Sequence, residues 1–231
     1  MAEPIQIVKA IVGAELMAEK SERDRYLPQG IVVTVSRDYG CGGDEIAEML
    51  AERLGVEYFD KQILESIIKA APEHKELMER LDKQVSKIRD EIMHMIVTGK
   101  SASEEYRRHL INVVLGIARK SGVIVGRGAH IILAHHKVFR VRIVGSPEFC
   151  ARRVAEKQHI SLAEAEQWVR KANEEHADFI RRIFNRDIND PTAFDMILNT
   201  DYIDIEPAVD IILFAMKKAG FKIPEKALKV A

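Results

Sequence analysis

Cysteine is nearly missing from this chain: Cys41 and Cys150 are the two examples in 231 residues. Two thiols cannot build a disulfide framework or a cysteine-rich metal site, and such sparse usage predicts a reducing, cytoplasmic setting. No apolar run approaches the roughly 20 residues that a membrane-spanning helix needs. Near the N-terminus Lys9 and Glu15 interrupt the apolar stretch, which does not fit a signal peptide. An excess of charge of either sign is also lacking. Lys and Arg total 35 and Asp and Glu 36, a formal net charge of -1, and that balance argues against a dedicated nucleic-acid binder.

What is present suits a globular protein. Hydrophobic residues make up 47% and charged residues 31%, which excludes wholesale disorder. The length accommodates one large domain or two small ones.

Periodicity divides the chain into alternating elements. Ile31-Val32-Val33-Thr34-Val35 is a continuous β-branched run, the pattern of a strand buried on both faces. A glycine-bearing loop, Ser36 to Gly43, follows at once. From Asp44 the period becomes helical: Ile46, Leu50 and Leu54, with Ala47 and Ala51, share a face, and Gly55 is a natural stop. Val56 to Phe59 predicts a second strand, ending at Asp60. Helical stripes run through Leu77, Leu81, Val85, Ile88, Ile92 and Met95, and through Leu110, Val113, Val114 and Ile117. A short helix is also expected over Ile5 to Met17.

Val123 to Val125, Val138 to Val144 and Phe194 to Asn199 read as three further strands. Ser146-Pro147-Glu148 and Ser161-Leu162-Ala163-Glu164 carry helix-start signals. The second opens a long helix with Trp168, Ala172, Phe179 and Ile183 on adjoining faces, Trp168 being expected in the core. A last helix starts near Pro207. Strand and helix alternate five times, which predicts an α/β fold: a five-stranded parallel sheet flanked by helices. Ligands of such folds sit beyond the carboxyl ends of the strands. That rule selects the glycine loop, Asp60 and Gly126-Arg127-Gly128.

The loop reads Ser36-Arg37-Asp38-Tyr39-Gly40-Cys41-Gly42-Gly43-Asp44-Glu45. Strand, glycine loop and helix together aim backbone N–H groups at a phosphate. A complete GxxxxGK[ST] loop would carry lysine where Gly43 stands and a hydroxyl where Asp44-Glu45 stand, and Arg37 replaces its first glycine. A tight strand-to-helix turn accounts for Gly40, Gly42 and Gly43 equally well. Asp44 and Glu45 are either magnesium ligands or first-turn acids favoured by the helix dipole. Cys41 at a helix start is either a low-pKa thiol or a stand-in for a small loop residue. His176, set among acids, reads as structural or surface, and His135-His136 lacks the spacing of helical metal ligands.

Val33-Thr34-Val35-Ser36-Arg37-Asp38-Tyr39-Gly40-Cys41-Gly42-Gly43 resembles the opening of the cytidylate kinase-like family, a branch of the P-loop nucleoside monophosphate kinases. Tyr58-Phe59-Asp60-Lys61, Val123 to Ala129, Arg181 to Asp187 and Asp195 to Thr200 carry the same likeness. It runs from about Ile31 to Met216, matches least from Pro72 to Glu105, and leaves out the first thirty residues. The resemblance implies a P-loop kinase-like three-layer domain over 31–220, with a helical insertion at about 61–120 and a lid at about 161–190. Residues 1–30 are an N-terminal extension and 221–231 a C-terminal tail.

The implied reaction is transfer of the γ-phosphoryl group of ATP, with Mg²⁺, to a pyrimidine nucleotide such as CMP, nucleotides being the partners. A non-catalytic nucleotide-binding or scaffold protein of the same fold is the alternative. Ser36, Arg37, Gly40, Cys41, Gly42, Gly43, Asp44 and Glu45 would bind ATP phosphates, with Asp44 a possible magnesium ligand. Asp60 and Arg127 would bind the acceptor nucleotide, helix capping being the alternative for Asp60 and a structural ion pair that for Arg127. Arg37, Arg181, Arg182 and Arg186 would be catalytic, with Lys61 and Arg37 candidates for the absent lysine's place. Arg182 and Arg186, four apart, are expected on one helical face. The loop has one base against three acids, whereas Phe179 to Arg186 holds three bases and no acid. A lid that supplies the loop's missing positive charge is therefore expected.

Overall fold

In the computed structural model, residues 30–62, 64–65 and 103–228 are described. Within them β1 (Val32–Arg37) leads into α1 (Gly43–Leu54), β2 (Glu57–Phe59), α2 (Ser103–Ala118), β3 (Gly122–Val125) and α3 (Ala129–Ile132). Then follow β4 (Phe139–Val144), α4 (Pro147–Gln158), α5 (Leu162–Phe184), β5 (Met196–Asn199) and α6 (Ile205–Lys218). The helices expected over Ile5 to Met17 and Leu77 to Met95 lie outside the described residues. Among the described residues no helix is long and apolar enough to cross a membrane.

All five strands are parallel, in the order β2-β3-β1-β4-β5. The β-branched run is therefore the middle strand, hydrogen-bonded on both sides, as a run without polar alternation requires. Side chains alternate across it. Val33 and Val35 join Val123, Val125, Val141 and Ile143 under α1, α4 and α6, whereas Val32 and Ile124 face α2, α3 and the end of α5. Three layers result, with the central strand β1 and its neighbour β3 covered on both faces while Ile197 on the edge strand β5 stays 46% exposed.

The cap chemistry follows the sequence signals. Ser146 accepts from the Phe149 N–H and Ser161 from the Glu164 N–H, each at 3.3 Å, and Gly55 ends α1 in the left-handed region. Three expectations need correction. Trp168 is 42% exposed, because α5 buries Ala165 and Val169 on its inward stripe. β5 begins at Met196, because the Asp195 carboxylate takes up the Arg140 N–H and guanidinium. Helix α5 stops at Phe184, with Asn185 as a left-handed cap at φ 51, so Arg186 does not share a helical face with Arg182.

Candidate functional site

Arg37 is the last residue of β1, and its side chain crosses the first turn of α1. A Cβ placed on Gly43 would stand 2.5 Å from Arg37 Cβ and 2.8 Å from Cγ. The backbone of β1 fixes the Arg37 Cβ, so position 43 accepts no side chain while residue 37 carries one, whatever rotamer Cγ adopts. The lysine of a complete phosphate loop is therefore excluded by volume, and an arginine fills the same corner. Arg37 Nε donates to Asp44 at 2.9 Å, and its Nη1 reaches Gly126 at the end of β3, 2.9 Å from where a Cβ would be.

The loop's other acids are also matched. Asp38 accepts from Arg142 Nη2 at 2.6 Å, and Arg142, buried within β4, donates from Nη1 to Ser36 at 3.1 Å. Glu45 accepts from Lys157 of α4 at 2.8 Å, with Arg153 at 3.6 Å. Burial works to raise the Glu45 carboxyl, but the Lys157 and Arg153 charges override it and hold it below the usual range. Three acids thus face four bases, and the missing positive charge comes from β1, β4 and α4. Arg181 and Arg182 are exposed on α5, Arg181 being tied to Asp178 at 2.9 Å, and Arg186 is exposed beyond it. In this arrangement the α5 arginines do not supply the loop's charge, contrary to expectation.

Two spaces flank the loop. A groove of about 120 Å³ runs over Gly40, Gly42 and Gly43, with Arg153 and Lys157 on one wall. Among the described residues no N-cap side chain bonds the start of α1; the Gly43 N–H lies against the Cys41 sulfur and the Glu45 N–H against its own carboxylate, and this helix end borders the groove. Thr200 Oγ1 donates to the Cys41 carbonyl at 2.8 Å, and the Tyr39 N–H donates to Asn173 of α5 at 2.7 Å. The loop is thereby held between β5 and α5.

The second space, about 30 Å³, lies past the ends of β1 and β3 and is lined by Arg37, Lys61, Arg127, His130 and His176. Arg127 has φ 50, a left-handed conformation that a non-glycine residue adopts only at a cost. Its guanidinium carbon lies 4.4 Å from the centre of the Phe179 ring, and its Nη2 is bound to Glu65. Gly128, at φ 71, presses against Phe184, so strand end and helix are fitted to each other here. Asp60 lies at the end of β2, where its carbonyl accepts from the Leu64 N–H at 3.1 Å.

Among the described residues no three His, Cys, Asp or Glu side chains gather to hold a metal. Asp44, the expected magnesium ligand, is engaged by Arg37. The donor set therefore fits phosphate oxygens rather than a protein-held Mg²⁺. Cys41 is not a low-pKa thiol, since burial pushes it up to about 12. Sequence reasoning missed Arg142, Arg153, Lys157 and the inward-facing His176. Arg142 had left a signal, a charge inside a strand expected to be buried on both faces; the α4 pair had none, because only the packing of α4 brings it to the loop.

A model of the cytidylate kinase-like family matches residues 32–202. A cytidylate kinase of Sulfolobus acidocaldarius is 38% identical over 63 residues, 27% of this chain and 35% of that protein. A cytidylate kinase of Pyrobaculum islandicum is 32% identical over 87 residues, 37% of this chain and 47% of that one. The chain spans less than half the length of these curated relatives. In the solved structure of an uncharacterized protein from Eubacterium ventriosum the likeness covers 82% of this chain and 99% of that one, at TM-score 0.67 and 20% identity. That likeness shows the shared fold.

Proposed function

Since this chain belongs to the cytidylate kinase-like family, we propose that it transfers the γ-phosphoryl group of ATP to a pyrimidine nucleoside monophosphate such as CMP. The observation that carries the reading is the Arg37 side chain, which fills the absent lysine's volume beside a cationic cavity shared with Arg127. Phosphoryl transfer asks a protein mainly for positioning and for positive charge around the moving group. The triphosphate lies along the glycine groove, against the positive end of α1, Arg153 and Lys157. Mg²⁺, bound with the nucleotide, would neutralise phosphate charge beside Arg153 and Lys157. The acceptor phosphate meets Arg127, whose planar fork suits two oxygens at once, and Asp60 stands beside the acceptor nucleotide. Arg181, Arg182 and Arg186 belong to the reading as donors drawn in only when the phosphates are present.

The test follows ADP formation with a panel of nucleoside monophosphates. CMP-dependent turnover that falls at least a hundredfold in Arg127→Ala is the expected result; no turnover above that variant with any acceptor would overturn it. A second reading, a nucleotide-binding scaffold, is favoured by Gly43 in the lysine's place. Calorimetry separates the two, since ATP binding without turnover would support the scaffold.

A further inference from the structure

His176 reads in the sequence as structural or surface, yet it lines the cationic cavity. It sits on α5, half-buried, with its ring turned to the space lined by Arg37, Lys61 and Arg127. Every sheet-side element beneath it contributes a cation: Arg37 from β1, Lys61 from after β2, Arg127 from after β3 and Arg142 from β4. The carboxylates nearby are already taken. Asp44 is bound to Arg37, Glu65 to Arg127 and Asp38 to Arg142.

Among the described residues two buried nitrogens at this wall, the Arg127 Nε–H donor and His130 Nε2, have no hydrogen-bond partner, and His130 is 3% exposed. Orphaned buried donors around a cation-lined space mark a place for an anion's oxygens. The cations and the orphaned nitrogens line one space, past the ends of β1 and β3, and the group they suit is a single tetrahedral oxyanion.

We propose that His176 is a ligand of that oxyanion and binds it together with a proton, donating from the imidazolium to one of its oxygens. The inference rests on the reading that this cavity receives a phosphoryl group, and goes beyond it by giving His176 a role. Without the anion, burial and the four surrounding cations hold the imidazole neutral, down to about 4. A dianion seated among the same cations reverses the local field, so the proton returns as the anion arrives. Anion affinity and His176 protonation are then coupled in both directions.

Sulfate is the probe, because its charge stays constant across the working range. With a shift of about two units on binding, sulfate should bind about tenfold more tightly at pH 5 than at pH 8. His176→Gln should lose the rise between pH 8 and pH 5. Calorimetry in buffers of different ionisation enthalpy should show proton uptake near pH 5 in the wild type and none in the variant. NMR of the His176 ring, which needs no substitution, should show its titration moving upward with sulfate.

Equal pH slopes in wild type and variant would overturn the proposal, as would uptake that vanishes in His130→Gln instead, or no sulfate binding. ADP formation measured on the same samples keeps the two readings apart. A protein that binds sulfate with His176-dependent proton uptake yet turns over no nucleotide would sink the kinase and leave the anion site standing.

Discussion

Replacing Gly128 with alanine would put a methyl group 2.2 Å from Phe184 Cε2, 2.6 Å from Cζ and 2.9 Å from Cδ2. Phe184 is fully buried between α2, α3 and the strand ends, so the ring has nowhere to swing. Gly128 also has φ 71. An alanine in the left-handed region costs about 1–2 kcal/mol, offset by about 0.4–1 kcal/mol from a less flexible unfolded chain. Overpacking against a fixed ring adds about 1–3 kcal/mol. The expected loss for Gly128→Ala is therefore about 2–4 kcal/mol.

Gly220 is the matched control. It has φ 83 and, among the described residues, nothing within 4 Å of the position a Cβ would take. Gly220→Ala carries the backbone cost alone, about 1 kcal/mol. Urea unfolding of both variants, followed by circular dichroism and Trp168 fluorescence, measures the difference. Phe184→Leu in the Gly128→Ala background should recover part of the loss. Two single variants within about 0.5 kcal/mol of each other would refute the packing argument, since only the neighbour distinguishes the sites.

Arg142→Met should destabilise the fold by about 3 kcal/mol, because it leaves Asp38 half-enclosed without its cation; Asp38→Asn in the same chain should restore part of the midpoint in urea. Burial first, then Arg142 and Arg140, pull His130 down to about 3 from 6.5, so the unfolded chain takes up a proton below pH 6.5 that the folded chain refuses. Its contribution is whole above pH 6.5 and is lost as pH falls toward 3, at up to about 1.4 kcal/mol per pH unit. His130→Phe should accordingly flatten the acid limb of stability against pH, and an unchanged limb would contradict the assignment. Burial pushes Cys41 up to about 12 and Cys150 up to about 11. Neither thiol should be alkylated at pH 8 in the native protein, and both should label in urea, as mass spectrometry would show.

The fold was legible wherever a residue pattern acts locally. Five strands, their parallel arrangement and the caps at Gly55, Ser146 and Ser161 follow from β-branched runs, periodicity and terminal chemistry. The site was legible only in part. Arg37, Gly43, Asp60 and Arg127 could be named as candidates because each lies at a strand end or in the glycine loop, and of these Arg37 and Arg127 line one cavity, whose lining does not include Asp60. What could not be read was which cation answers which acid. Arg153 and Lys157 are more than a hundred residues from Glu45, and only the packing of α4 beside α1 makes them neighbours. His176 among acids looked solvated for the same reason: its sequence neighbours are not its spatial ones. Trp168 went wrong because a helical stripe fixes a face only to within one residue.

The corner shared by Arg37 and Gly43 has a consequence for how such loops change. A positive charge can enter it from the strand or from the helix, and the volume admits one stem. Gly43→Lys alone crowds two cations into space for one, while loss of Arg37 alone leaves Asp44 unanswered and the corner neutral. Either halfway form is worse than the starting one. The two arrangements are separated by a valley that no single substitution crosses, and positions 37 and 43 have to be exchanged as a pair.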